Sequence, residues 1–196
     1  LISESTFGLP IFKWEEPQKT AIDISNWVNL SPDKTSILFC YSLGKAQRLL
    51  NEINKTNFKN KIYTHNSINT MNNCYKKLGI DIFETNKFDK TKKIDAYKGS
   101  LILLPPALNK GSFLKKFKEI QTGFASGWMS IRALRKRSGY DKGFAISDHA
   151  DWEAILKTLK ETEAKNVFFH HGDCEPLIRY LNEKNSINVL DFESKK

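Results

Sequence analysis

The sequence predicts an α/β fold with mostly parallel strands, and three observations carry that expectation. Short apolar runs that read as strands alternate with stretches whose apolar residues recur at helical spacing. Turn and breaker residues separate them, as at Ser31-Pro32-Asp33, Gly79 and Pro105-Pro106. Two histidines, His149 and His171, each follow an apolar run and precede a helical pattern, which puts both at carboxyl ends of strands. Open α/β sheets build their sites there.

Leu1 to Glu4 reads as the end of a strand, followed by a turn at Gly8 to Pro10 and an extended Ile11 to Trp14 that Pro17 ends. Residues 21 to 30 are weakly helical. Ile37 to Tyr41 is a strand, and Ala46, Leu49, Leu50 and Ile53 line one face of a helix after it. Ile62-Tyr63 is a short strand. Met71, Tyr75 and Leu78 mark a second helix that Gly79 stops, and Leu101 to Leu104 is a buried strand broken by the two prolines. Residues 84 to 98, charged and weakly apolar, read as an exposed connection. Gly143 to Ile146 is a strand, with Trp152, Ile155, Leu156 and Leu159 forming the helical face behind it. Asp148 and Asp151 are both candidate caps of that helix. Asn166 to Phe169 is the next strand, then a helix with Pro176 in its first turn and Leu177, Ile178 and Leu181 on one face, then Val189-Leu190 as a last strand.

A chain of 196 residues, 40% hydrophobic and 27% charged, can bury one substantial core or two small ones. No apolar run approaches the roughly 20 residues of a membrane span, which excludes a helical membrane anchor within this sequence, and the expected compartment is the cytoplasm. Cys40, Cys74 and Cys174 are odd in number and far apart, so they read as reduced thiols. The chain starts at Leu1 on what looks like the end of a strand, and a fragment is expected. Net charge is +9, but residues 40 to 120 alone hold 16 basic and 6 acidic side chains. That middle third suits a phosphate backbone, or simply a solvated lysine-rich surface.

His149 lies between Asp148 and Asp151, and a carboxylate that orients an imidazole and raises its proton affinity makes a general acid near neutral pH. A capping turn that contains a histidine is the plainer alternative. In His170-His171-Gly172 the two side chains are expected to point to opposite faces, so one imidazole faces a site while the small Gly172 lets backbone approach closely. No HxH, HxxxH or CxxC spacing supplies the three or four ligands of zinc. Glu4, at a strand end, can accept a hydrogen bond from an imidazole. Tyr41-Ser42-Leu43-Gly44-Lys45 joins a strand to a helix, where backbone N–H groups can meet phosphate, but it lacks the glycines of a P-loop. Arg132, Arg135, Lys136 and Arg137 form the densest basic cluster, with Trp128 nearby as a surface for a stacked base. An exposed helix face explains that cluster equally well.

Taken together, Glu4-Ser5-Thr6-Phe7-Gly8, Gly44-Lys45-Ala46-Gln47, Ser147-Asp148-His149-Ala150-Asp151 and His171-Gly172 occur in the order used by β-CASP nucleases, enzymes of the metallo-β-lactamase fold that act on nucleic acids. The sequence most resembles their bacterial ligase-associated DNA exonuclease group. Thr6 to Pro10, Tyr41 to Arg48, Phe124 to Met129 and Glu175-Pro176-Leu177 extend the resemblance over essentially the whole chain. It implies the C-terminal part of a metallo-β-lactamase αββα fold carrying an inserted α/β β-CASP domain: residues 1–19 end the first part of the lactamase-like domain, 20–123 are the insertion and 124–196 are the return.

The resemblance also implies roles. Glu4 matches the acidic motif A, His149 the motif B histidine that stands where the general acid is expected, and His171 the motif C histidine that ligates zinc. Lys45, Arg48, Trp128, Arg132 and Arg135 are the expected nucleic-acid contacts. The implied activity is zinc-dependent exonucleolytic hydrolysis of DNA phosphodiesters in repair or end processing, with two zinc ions per intact protein. DNA is the implied partner, with a DNA ligase or helicase by family association and no membrane. An RNA-processing nuclease resembling mRNA 3′-end processing factors, and a non-catalytic nucleic-acid-binding subunit, are the alternatives. The HxHxDH motif, a further histidine and a bridging aspartate that hold the family's metals are not in this sequence. They are expected upstream, so this chain alone is expected to bind zinc poorly and not to cleave.

Overall fold

A computed structural model describes residues 1–184 and 187–190. The end of the expected return segment, residues 185–186 and 191–196, lies outside the described residues. The chain divides into two compact units, residues 15–147 and residues 1–14 with 148–196. The sequence places these crossings near 19/20 and 123/124.

The larger unit is built on a six-stranded parallel sheet. Its strands are β2 (Thr35–Phe39), β3 (Ile62–Thr64), β4 (Asn86–Lys87), β5 (Leu101–Leu104), β6 (Ile120–Ala125) and β7 (Lys142–Phe144), in the order β4-β3-β5-β2-β6-β7. The central β2 pairs with β5 at Ile37↔Ile102 and with β6 at Ile37↔Thr122. Because side chains alternate across a strand, Leu38, Leu101 and Leu103 face one side and Ile37, Phe39, Ile102 and Leu104 the other, all fully buried. Burial on both faces is why β2 and β5 read as continuous apolar runs. On the first side lie α1 (Pro17–Asn29) and α2 (Lys45–Asn54), with Ile24, Val28, Leu49, Leu50 and Ile53 buried. The second side is covered by irregular chain, through Phe88, Tyr97 and Phe117.

Strand β6 has no counterpart in the sequence reading. Its inward positions are Gln121, Gly123 and Ala125, not large apolar residues. Gln121 donates to Trp27 O (3.0 Å) and Ser36 Oγ (2.8 Å), and a Cβ on Gly123 would lie 3.1–3.2 Å from Leu38, Phe144 and Trp27. Helix α1 therefore packs close to β6 only because position 123 has no side chain. Strand β7 pairs with β6 at Phe124↔Gly143, which keeps residues 124–147 in this unit and accounts for the later crossing.

Helix α3 (Asn66–Lys77) buries Ile68 and Asn72, not the Met71, Tyr75 and Leu78 face that periodicity predicts; Leu78 is 76% exposed. Asn72 turns inward because its Oδ1 accepts from buried Gln47 Nε2 at 2.8 Å. His65 caps this helix, its Nδ1 accepting from Ser67 N–H at 3.2 Å. The connection expected to be exposed at 84–98 instead contributes β4 and buries Phe88 and Tyr97.

The smaller unit holds a three-stranded parallel sheet, β1 (Ile2–Ser3), β8 (Asn166–Phe169) and β9 (Asn188–Val189), with β8 central. Register is Ser3↔Phe169 and Val167↔Val189. Helices α5 (Trp152–Glu161) and α6 (Glu175–Lys184) bury Ile155, Leu159, Leu177 and Leu181 against Val167 and Phe169. Among the described residues no helix is long and apolar enough to cross a membrane.

Candidate active site

The residues that sequence places at strand ends meet within the smaller unit. Pairing of β1 with β8 continues past the strands: His170 N–H donates to Ser3 O (3.2 Å) and Ser5 N–H donates to His171 O (2.7 Å). Glu4 sits between these two links. Its Oε2 accepts from Thr6 N–H at 2.7 Å, and its Oε1 lies 3.2 Å from His149 Nδ1. A carboxylate on the imidazole thus comes from 145 residues away in sequence. Burial alone would raise the Glu4 carboxyl, but hydrogen bonding from Thr6 and from His149 holds it below its ordinary value.

The loop carrying His149 is fixed from three sides. Asp151, 8% exposed, is the N-cap of α5: its Oδ1 accepts from Ala154 N–H (2.9 Å) and its Oδ2 from Trp14 N–H (2.8 Å). Trp14 Nε1 donates to His149 O at 2.9 Å. The Phe7 ring meets the imidazole edge-on at 5.8 Å and packs against Phe12 and Trp14 at 4.7 and 4.8 Å. The Asp151–Trp14 contact joins residues 137 apart and is not marked in the sequence, whereas Phe7 stands within the motif Glu4-Ser5-Thr6-Phe7-Gly8.

Behind Glu4, Gly172 has φ +94°, and a Cβ there would lie 2.6 Å from Ser5 C and Thr6 N. The close approach expected of this glycine is made to the backbone that holds Glu4. Ser5 is fully buried, with Oγ 3.0 Å from Cys174 Sγ. Both His170 and His171 are exposed, their ring centroids 6.4 Å apart.

Zinc takes three or four nitrogen, sulfur or oxygen donors. Among the described residues no three His, Cys, Asp or Glu side chains are grouped to hold a metal. His171 is a single donor, and these residues do not by themselves fit a zinc ion.

The expected nucleic-acid contacts belong to the larger unit. Lys45 begins α2 but is only 4% exposed, its Nζ 4.9 Å from the Tyr41 ring centroid. Arg48 is exposed, with Nη1 donating to Ser147 O at 2.7 Å. Trp128 is 43% exposed in the turn after β6, and Arg132 and Arg135 are exposed on the short helix α4 (Arg132–Arg137). Lys45 and Trp128 follow the carboxyl ends of adjacent strands β2 and β6.

No protein-family model matches the chain. It is 25% identical over 186 residues, 94% of its length, to a protein of Opitutus terrae named "Probable DNA ligase", and spans 18% of that protein. Among solved structures it is similar to a protein of unknown function from Enterococcus faecalis V583, with a TM-score of 0.47 and 12% identity over 97% of this chain and 48% of that one.

Proposed function

We propose that this chain is the C-terminal portion of a DNA-cleaving phosphodiesterase of the β-CASP group, an exonuclease in repair or end processing, and that it supplies the general acid. The observation that carries the reading is the contact between Glu4 Oε1 and His149 Nδ1 at 3.2 Å on an exposed strand-end surface. Hydrolysis joins a water oxygen to phosphorus and breaks the P–O bond to the leaving alkoxide, which departs readily only when protonated. His149 delivers that proton, and Glu4 fixes the ring through Nδ1, so that exchange with substrate falls to Nε2. Asp151, Trp14 and Phe7 position the loop. DNA, not RNA, is favoured by the name of the Opitutus terrae relative.

Digestion of matched DNA and RNA strands by the intact protein tests the reading. DNA is expected to be shortened from an end and RNA spared. Preferential RNA cleavage points to the RNA-processing alternative, and binding without cleavage of either strand points to a non-catalytic subunit.

A further inference from the structure

Two cavities of about 200 and 440 Å³ in the larger unit share Lys93 and Lys116. The smaller lies on the sheet face opposite α1 and α2, where the chain leaves β4 at Phe88. Lys90, Lys92, Lys93 and Lys116 line it, and all four are exposed. No carboxylate among the described residues lies within ion-pair distance of any of them. Asp89, the acidic residue in the lining, is turned back into its own loop, its Oδ1 accepting from Thr91 N–H (2.9 Å) and Thr91 Oγ1 (2.7 Å).

The loop is held against the core. Tyr97, 1% exposed, donates its hydroxyl to Asp89 O (2.7 Å) and accepts from Asp89 N–H (3.1 Å). The lysine stems thus rise from a fixed rim, and four ammonium groups face one carboxylate, Asp89, whose charge is felt by Lys92; a bound anion relieves the remaining excess of positive charge. Phe88 and Phe117 on the floor are 6% and 8% exposed, and Lys90 Nζ sits 5.1 Å over the Phe113 ring centroid. No ring there is open for a base to stack. Exposed ammonium groups above rings that are buried or covered suit phosphate better than a nucleobase.

We infer that the hollow lined by Lys90, Lys92, Lys93 and Lys116 is a second, sequence-independent contact for the phosphate groups of a nucleic-acid strand, on the sheet face opposite α1 and α2. This rests on the reading of the protein as nucleic-acid-directed. A lysine ammonium is a point charge that suits phosphate without selecting a base.

The test compares binding of a fluorescent single-stranded oligonucleotide to the intact protein, to a quadruple Lys90→Gln, Lys92→Gln, Lys93→Gln, Lys116→Gln variant, and to a control with the exposed Lys34, Lys59, Lys61 and Lys77 changed to Gln. Each lost phosphate contact flattens the dependence of log affinity on log salt by about 0.7. The cavity variant is expected to lose about tenfold or more in affinity at low salt, with a slope shallower by about 1–2, for purine and pyrimidine strands alike. The control should change much less. Equal losses in both variants mean net charge alone acts and overturn the inference while leaving the functional reading intact. Binding of inorganic pyrophosphate at the hollow with unchanged oligonucleotide affinity also overturns it. If the unaltered protein binds no strand at all, the inference and the nucleic-acid reading fall together.

Discussion

His149 Nδ1 lies 3.2 Å from Glu4 Oε1, joining a turn at the start of α5 to the end of β1. In the intact enzyme, replacing His149 with Ala is expected to lower turnover by roughly 10²–10⁴-fold, the usual contribution of a positioned general acid. Glu4→Gln should cost less, because an amide oxygen still holds the ring while its charge is lost. Single-turnover rates on a DNA strand check both, and unchanged turnover in His149→Ala removes the histidine from the chemistry.

Glu4 also sets an acid limb of stability. Burial would raise its carboxyl, but hydrogen bonds from Thr6 and His149 depress it, so the folded-state pKa lies below the unfolded value. Between those two values the unfolded chain binds more protons than the folded one. The contribution is fully present above the ordinary glutamate value of about 4.3 and is lost as pH falls through the folded-state value. Melting temperatures followed from neutrality into acid should therefore drop less steeply in Glu4→Gln than in the unaltered protein. Parallel curves would show that the carboxylate gains nothing on folding.

Gly172 and Gly79 have similar backbone signs but different surroundings. At Gly79 (φ +76°) an added Cβ would have nothing within 4 Å, whereas at Gly172 (φ +94°) it would meet the Ser5 and Thr6 backbone at 2.6 Å. Gly79→Ala should cost only the left-handed conformation, about 1–2 kcal/mol. Gly172→Ala should exceed that, since the overlap must be relieved by moving the segment that donates to Glu4. Denaturant titrations of the two variants measure the difference, and equal losses would mean the Ser5–Thr6 backbone yields freely.

These residues also show what sequence can and cannot reveal. Strands β2, β5 and β8 are legible because their apolar runs are local. Strand β6 is not, since its inward positions are a glutamine bonded to Trp27 O and a glycine whose absent side chain admits three neighbours. Helix α3 is legible as a helix, but its buried face depends on Asn72 meeting Gln47, a long-range event. The same holds at the site. Local sequence offers His149 two nearby aspartates and marks Glu4 only as an acceptor for some imidazole, while the contact between Glu4 and His149 depends on tertiary structure.

Asp151 illustrates the other half of that point, because its capping role is legible in the sequence and its second role is not. One oxygen accepts from Ala154 N–H and the other from Trp14 N–H, at 2.9 and 2.8 Å. Asp151→Ala removes a cap, about 0.5–2 kcal/mol, and leaves the Trp14 N–H without its acceptor, about 1–3 kcal/mol more. Asp151→Asn keeps one acceptor oxygen but turns an N–H₂ toward the other donor, so its loss should fall between that of Ala and the unaltered protein. Asp151→Ser caps the helix without reaching Trp14 and separates the two contributions. Trp14 Nε1 also holds His149 O, so the Asn and Ser variants should lose turnover in addition to stability. Unfolding free energies alongside rates for the three variants decide the matter: if Ala costs no more than Ser and all three turn over normally, Asp151 is a helix cap and nothing further.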